Sequence, residues 1–346
     1  MIEMKTLFFH PRNDYTGSTR VLADIIATEY RDNKIHVVTD RNSNQGFLSE
    51  LPNVKIIGTW IPTYNKKYIK FISFFCWILH SSFIALFVGV KYDEFYINTT
   101  KPFYAAIVGW LLRKKIIYHV HEIFALNSTT TKIYRYVFDR VPSHRIYVSE
   151  YTKSQYEDNP KCTWEIKYNK LNDSFISKVR ITPIEERQRK NILMIASLIK
   201  IKGVFMFADV AKAMSNYQFS LILSTNKERI TECFGNDIPS NLLLYSAQSD
   251  IHPFLEKTDL IMNLSVPGLC TESFGMTILE AMPYGIPAIV PNIGGPTELV
   301  KDGFNGCCVD VTDRESIVNA VKKIMRKDDY EYFATNTLHR YDELFS

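Results

Sequence analysis

The sequence predicts an α/β protein built from two doubly wound parallel-sheet domains. Short apolar runs alternate along the chain with longer helix-like segments, as strands buried on both faces of a parallel sheet do when crossover helices join them. With 346 residues the chain is too long for one ordinary core and fits two. The alternation is interrupted between Tyr168 and Lys190, where Asn172, Asp173, Pro183 and the charged stretch from Glu185 to Lys190 break the pattern.

In the first half the runs Thr6 to Phe9, Ile35 to Thr39, Val54 to Gly58, Glu94 to Ile97, Ile116 to His121 and Arg145 to Val148 read as strands. In the second half the corresponding runs are Ile192 to Ala196, Phe219 to Leu223, Leu242 to Tyr245, Leu260 to Leu264, Ile286 to Val290 and Gly306 to Val309. A first domain is therefore expected over 1–167, a linker over 168–190 and a second domain over 191–327. The polar and aromatic end, 328–346, is expected to be a helical tail packing back on the first domain.

The segment Phe71 to Val90 contains no Asp, Glu, Lys or Arg and is bounded by Lys66, Lys67 and Lys70 on one side and Lys91 on the other. It is long enough to cross a bilayer. Spanning conflicts with topology, because the strands on either side of it belong to one sheet and would end on opposite sides of the membrane. Ser73, Cys76 and His80 form a slightly more polar stripe, so a buried crossover helix and a helix on a membrane surface are both favoured over a spanning one.

The composition, 46% hydrophobic and 23% charged with 14 Gly and 14 Pro, excludes a disordered or fibrous chain. The net charge of +4 hides an asymmetry: residues 1–170 carry 23 Lys and Arg against 15 Asp and Glu, the remainder 18 against 22. The basic half suits an anionic lipid or an anionic acceptor as well as it suits ordinary surface variation. Cys76, Cys162, Cys233 and Cys270 are scattered, and Cys307 and Cys308 lie in a strand-like run. No disulfide or metal pattern results, and a reduced, cytoplasmic setting is expected. The apolar run Leu7 to Phe9 is too short for a secretory signal and is followed by His10, Pro11 and Arg12.

The chemistry concentrates around Glu272 and Glu280. Between them Gly275 opens a helix that starts near Met276, and Pro283 with Gly285 ends it. Backbone amides at a helix start attract a diphosphate, and a carboxylate on either side can bond the hydroxyls at the two ends of a nucleotide sugar. The run from Glu272 to Met282, followed by Gly285-Ile-Pro and by Asn292 to Glu298, resembles the signature of retaining glycosyltransferases of family 4. Lys202-Gly203, the segment Val148 to Thr152, the loop Gly17 to Arg20 and the segment Tyr118 to Glu122 resemble further parts of the same family.

The resemblance implies the GT-B architecture, two Rossmann-like domains facing each other across a cleft, the second binding the nucleotide sugar and the first most of the acceptor. It implies that Glu272 bonds donor-sugar hydroxyls, that Phe274 and Gly275 present backbone amides to the sugar and that Ser273 is among the donor-binding residues. It further implies that Met276 and Thr277 present N–H groups to the diphosphate, that Lys202 neutralises it and that Glu280 takes the ribose hydroxyls. His121 is placed near the donor sugar, so Glu272, His121 and Lys202 are the expected catalytic residues. Gly17 is expected to admit the diphosphate or acceptor, and Arg12, Tyr15 and Arg20 to contact the acceptor. The chain departs from the pattern at Ser197, which stands where the family has an arginine on the diphosphate. A hydroxyl offers neither charge nor a bidentate fork, so neutralisation shifts to Lys202, with Lys200 as a further candidate.

His119 and His121 point to one face of a strand but have no third metal ligand at a supporting spacing. No metal and no cofactor are expected. The loop around Gly17 lacks the Gly-x-Gly-x-x-Gly fingerprint of a dinucleotide fold. Gly294 and Gly295 shape either a cleft wall or a plain turn. The expected activity is transfer of a hexose, with retention and without a metal, from a nucleotide-diphosphate sugar to a hydroxyl of a glycan or lipid-linked glycan in cell-surface polysaccharide or lipopolysaccharide synthesis. The expected location is the cytoplasm, with peripheral contact to the anionic inner face of the cytoplasmic membrane and no nucleic-acid partner. A GT-B sugar-nucleotide epimerase and a non-catalytic nucleotide-sugar-binding protein are the alternatives.

Overall fold

The computed structural model describes residues 4–31, 34–40, 46–59, 67–123, 129–235 and 238–346. It divides into two compact units, Met1–Asn169 and Lys170–Ser346. In the first unit, strands β1 (Thr6–Phe9), β2 (Ile35–Asp40), β3 (Val54–Thr59), β4 (Glu94–Asn98), β5 (Lys115–Val120), β6 (His144–Tyr147) and β7 (Thr163–Ile166) form one parallel sheet in the order β3-β2-β1-β4-β5-β6-β7. In the second, β8 (Asn191–Ala196), β9 (Gln218–Leu223), β10 (Leu242–Tyr245), β11 (Leu260–Met262), β12 (Ala288–Pro291) and β13 (Gly306–Val309) pair in the order β10-β9-β8-β11-β12-β13, again parallel throughout. Both sheets are doubly wound, as expected, and each reverses its strand order once, between β1 and β4 and between β8 and β11. Ligands of such sheets bind beyond the carboxyl ends of the strands at that switch point.

The central strands are buried on both faces because they are apolar throughout: Leu7, Phe8 and Phe9 of β1 and Ile192, Leu193 and Met194 of β8 are almost fully covered. β7 was not among the expected strands. It is a four-residue edge strand, Thr-Trp-Glu-Ile, whose residues are largely exposed, so it lacks the apolar run that marks its neighbours.

The stretch expected as a linker counts from Lys170 onward with the second unit. Arg187 explains why: its buried guanidinium donates to the carbonyls of Tyr284 and Gly285 and to the Tyr330 hydroxyl, tying the stretch to the end of the Glu280 helix and to the terminal helix. Residues expected as a tail form one helix, Lys327–Phe345, which packs in the second unit against helix Arg314–Met325 and the turn Met282–Tyr284.

The apolar segment is a helix, Lys67–Gly89, joining β3 to β4 within one parallel sheet, which rules out a spanning course; Lys66 lies outside the described residues. Its stripe of Ser73, Cys76 and His80 is not a common face, since Ser73 is buried while Cys76 and His80 are exposed.

Candidate functional site

In the second unit the site is built on three loops at the carboxyl ends of β8, β11 and β12. After β8 the chain passes Ser197, makes a tight turn over Lys200–Lys202 and enters helix Val204–Ala213 through Gly203. Gly203 has φ of 75°, and a Cβ there would lie 2.2 Å from the Leu264 carbonyl oxygen. Only glycine therefore lets this turn sit against the loop after β11. The Val266 N–H donates to the Ile201 carbonyl at 2.9 Å and joins the two loops directly.

This contact places Lys202 against Glu272. Lys202 Nζ lies 2.6 Å from Glu272 Oε1, and the side chains are only 21% and 24% exposed. The Ser265 hydroxyl donates to the same oxygen at 2.9 Å, and Ser265 is itself fixed by its N–H on Asn263 Oδ1. Burial pulls the Lys202 ammonium down, but the charge and hydrogen bond of Glu272, joined by those of Cys270, outweigh it, so its pKa stands above the ordinary lysine value and it is a cation at neutral pH.

The Glu272–Gly275 loop is shaped by the two glycines after β12. Gly295 N–H donates to the Glu272 carbonyl at 2.9 Å, and a Cβ on Gly295 would lie 2.1 Å from the Ser273 carbonyl oxygen. Gly294 has φ of 121°, and a Cβ there would lie 3.0 Å from the same Glu272 carbonyl oxygen. The pair thus seats the Glu272 loop. Gly275, with φ of 106°, starts helix Met276–Ala281. Its carbonyl accepts from Ile278 and Leu279 N–H, so the N–H groups of Met276 and Thr277 precede the helical ladder. Phe274 and Glu280 are buried, whereas Ser197, Ser273, Met276 and Thr277 are partly exposed. Of the residues named from the sequence, Lys202 and Glu272 are in direct contact, and Ser273 to Thr277 continue the same loop.

In the first unit a hydrogen-bonded chain runs across the ends of β5, β4 and β1. His121 Nε2 lies 2.8 Å from Asn98 Oδ1, Asn98 Nδ2 lies 2.9 Å from His10 Nδ1, and His10 Nε2 lies 3.0 Å from Thr19 Oγ1, which donates to Asp14 Oδ1 at 2.7 Å. The amide geometry of Asn98 assigns the protons: its oxygen can only accept, so His121 carries its proton on Nε2, and its NH₂ can only donate, so His10 carries its proton on Nε2 as well. The His119 ring lies 4.2 Å from that of His121, tilted by 42°, and contacts the Tyr96 hydroxyl through Nδ1 at 2.9 Å.

Burial lowers all three imidazoles, His10 to about 4, His119 to about 3 and His121 well below its ordinary value, so the cluster is neutral at pH 7. Next to it, burial raises the Glu122 carboxyl above its usual range although Lys101 and the Thr100 N–H oppose the shift. Thr100 follows Thr99, a non-glycine residue with φ of 74°.

Gly17 is the first residue of helix Gly17–Glu29, where the Asp14 carboxylate accepts from Thr16 N–H and both threonine hydroxyls. Arg12 and Tyr15 are exposed; Tyr15 donates to Glu50 at 3.1 Å, and both Tyr15 and Arg20 contact the Phe47 ring. Sequence reasoning missed Ser265, Asn98 and His10. A short polar residue directly after an apolar strand is the signal that could have found all three, since it stands at the carboxyl end of the sheet.

Residues 178–340 match the family model described as "Glycosyl transferases group 1". An uncharacterized glycosyltransferase of Methanocaldococcus jannaschii is 23% identical over 95% of this chain and 90% of its own length. The UDP-Gal:alpha-D-GlcNAc-diphosphoundecaprenol alpha-1,3-galactosyltransferase of Escherichia coli is 34% identical over 25% of this chain and 22% of its own. Among solved structures, Anabaena HepE in complex with UDP and glucose is similar with a TM-score of 0.80 and 20% identity, covering 99% of this chain and 96% of that one. The fold of both units is that of GT-B proteins.

Proposed function

We propose, from a second unit that belongs to the group 1 glycosyltransferases, that this chain is a retaining hexosyltransferase of family 4 acting on a nucleotide-diphosphate sugar. The acceptor is a hydroxyl of a glycan or lipid-linked glycan in cell-surface polysaccharide or lipopolysaccharide synthesis. One observation carries the reading: a cation and a carboxylate, Lys202 and Glu272, are held together at 2.6 Å where a glycine-seated loop turns into a helix. In the reaction the acceptor oxygen bonds to the anomeric carbon while the bond from that carbon to the diphosphate breaks. Negative charge grows on the departing diphosphate, which Lys202 and the Met276 and Thr277 N–H groups stabilise more in the transition state than in the ground state. Glu272 holds sugar hydroxyls, Glu280 the ribose, and the diphosphate takes the acceptor proton. His121, neutral and with its proton fixed on Nε2 by Asn98, offers a dipole rather than a charge to the sugar. Arg12, Tyr15 and Arg20 contact the acceptor.

The uridine ligand of HepE and the UDP-galactose donor in the name of the Escherichia coli relative support a uridine nucleotide as the first donor to test. A panel of nucleoside diphosphates and their sugars should raise the melting temperature selectively, because a ligand that binds only the folded state stabilises it. The active donor should then transfer its sugar with the anomeric configuration kept and with EDTA present. Epimerised sugar formed from donor alone, or donor binding without transfer to any acceptor, would overturn the assignment in favour of an epimerase or a binding protein.

A further inference from the structure

We infer that the outer face of helix Lys67–Gly89, with the exposed end of helix Phe103–Leu111 beside it, docks on the surface of an anionic lipid bilayer. The helix is amphipathic in the wrong sense for water. Ser73 and Ser81 point inward with Trp77 and Ala85, whereas Ile72, Phe75, Leu79, Phe83 and Phe87 point outward, Leu79 being 69% exposed. A core helix of similar composition would be mostly covered, yet only 28% of Ile72–Gly89 is buried, at a mean hydropathy of 1.9. The neighbouring helix, which packs against it, adds the exposed side chains of Ile107, Trp110 and Leu111 and enlarges the apolar area into a patch. Because β3 and β4 share one parallel sheet, the helix lies along a surface and does not cross it.

Charge selects the occupant. Residues 60–92 contain no Asp or Glu, Lys91 is exposed just after the carboxyl end of the helix, and Arg113, next in the chain to Lys114, is exposed as well. Lys114 Nζ donates to the Val90 carbonyl at 3.1 Å, which holds a further ammonium at that end. Cations at the carboxyl end of an aliphatic and aromatic face, which includes an exposed tryptophan, match an anionic headgroup layer over acyl chains. A second copy of the chain docked face to face would bring the same cations together with no acidic residue of this helix to answer them.

The test needs neither donor nor acceptor, so its failure leaves the transfer reading intact. The full chain is floated with vesicles of phosphatidylglycerol and phosphatidylcholine at low and moderate salt, and with phosphatidylcholine alone. The wild type should float with the anionic vesicles and much less with the neutral ones. Leu79→Glu with Phe83→Glu, both on the surface, should lower the bound fraction at least tenfold at an unchanged melting temperature. Lys91→Glu with Arg113→Glu should weaken binding at low salt and flatten its salt dependence. The inference is overturned if the wild type stays with the unbound fraction, if Leu79→Glu with Phe83→Glu floats like the wild type, or if neutral vesicles bind equally well. A wild-type dimer in sedimentation equilibrium that ignores vesicles and is dispersed by the same pair of substitutions would assign the face to a second copy instead.

Discussion

Glu272→Gln is expected to tighten the binding of UDP while it impairs transfer. In the free protein Lys202 is engaged by Glu272 at 2.6 Å, so a diphosphate bound as proposed would have to draw the ammonium away from a carboxylate. Coulomb's law at an effective dielectric of about 20 gives a gross attraction of about 6 kcal/mol at that distance. Solvation of the two partly covered groups returns most of it, and about 1 kcal/mol is a reasonable net cost of separating them. The amide keeps the shape and removes the charge, so UDP affinity should rise roughly fivefold. Lys202→Ala removes a charge-assisted bond to the diphosphate worth about 1.5 to 3 kcal/mol and should weaken UDP roughly tenfold after the lost competition is subtracted. In the Lys202→Ala background Glu272→Gln should leave UDP affinity unchanged, since no lysine remains to be released. Titration calorimetry of the four proteins reads all three numbers, and steady-state transfer should show turnover of Glu272→Gln down by at least a hundredfold. Unchanged or weaker UDP binding by Glu272→Gln would refute the shared lysine, and unchanged binding by Lys202→Ala would remove Lys202 from the site.

Gly203→Ala should destabilise the second unit by about 3 kcal/mol or more in denaturant unfolding. Its φ of 75° is costly for alanine, and the new Cβ meets the Leu264 carbonyl. Gly268→Ala, at φ of 80° with nothing within 4 Å, should lose only about 1 kcal/mol, and equal losses would show that close approach does not fix Gly203. Acid should destabilise the protein between about pH 6.5 and 4. His10 has a folded pKa of about 4, below its unfolded value, so its stabilisation is complete above pH 6.5 and is lost as pH falls and the unfolded chain takes up the proton. A His10→Gln variant should show a shallower fall in that window, and an unaltered pH profile of unfolding would contradict the buried neutral imidazole. Asn98→Ala removes the acceptor that fixes the His121 proton and should lower turnover with little change in UDP affinity; a parallel loss of both would make Asn98 merely structural.

The sheets were legible because central parallel strands are apolar on both faces, so each left a dense run in the sequence. β7 was hidden because an edge strand with Glu165 and an exposed Trp164 has no such run. Glu272 and Lys202 were legible as residue types at a loop and a strand end, but their 2.6 Å pairing was not, since it depends on Gly203 meeting Leu264 across 61 residues of chain (264 less 203). The seating of the Glu272 loop by Gly294 and Gly295 was hidden for the same reason: a turn glycine and a glycine under a backbone look alike in sequence. The face of helix Lys67–Gly89 was obscured by its uniform hydrophobicity. With nearly every position apolar, periodicity cannot tell the inner face from the outer, and Ser73 and Ser81 mislead because they are the buried positions.

If Lys202 passes between Glu272 and a diphosphate, as proposed, Ser197 gains significance. An arginine at that position would hold the diphosphate before and after transfer with a permanent bidentate charge. Ser197 supplies none, and its carbonyl accepts from Ile199 N–H at 2.8 Å in the turn that delivers Lys202. On the proposed reading the cation at the diphosphate would be Lys202, which a carboxylate 2.6 Å away in the free protein would reclaim as the product leaves. Product nucleotide held by a shared charge dissociates faster than product held by an unshared one, and release is a common limit on turnover. Ser197→Arg should accordingly tighten UDP and slow multiple turnover more than the first, a difference that burst kinetics resolves. Equal effects on the first and later turnovers would place the burden of the missing arginine on the chemical step instead.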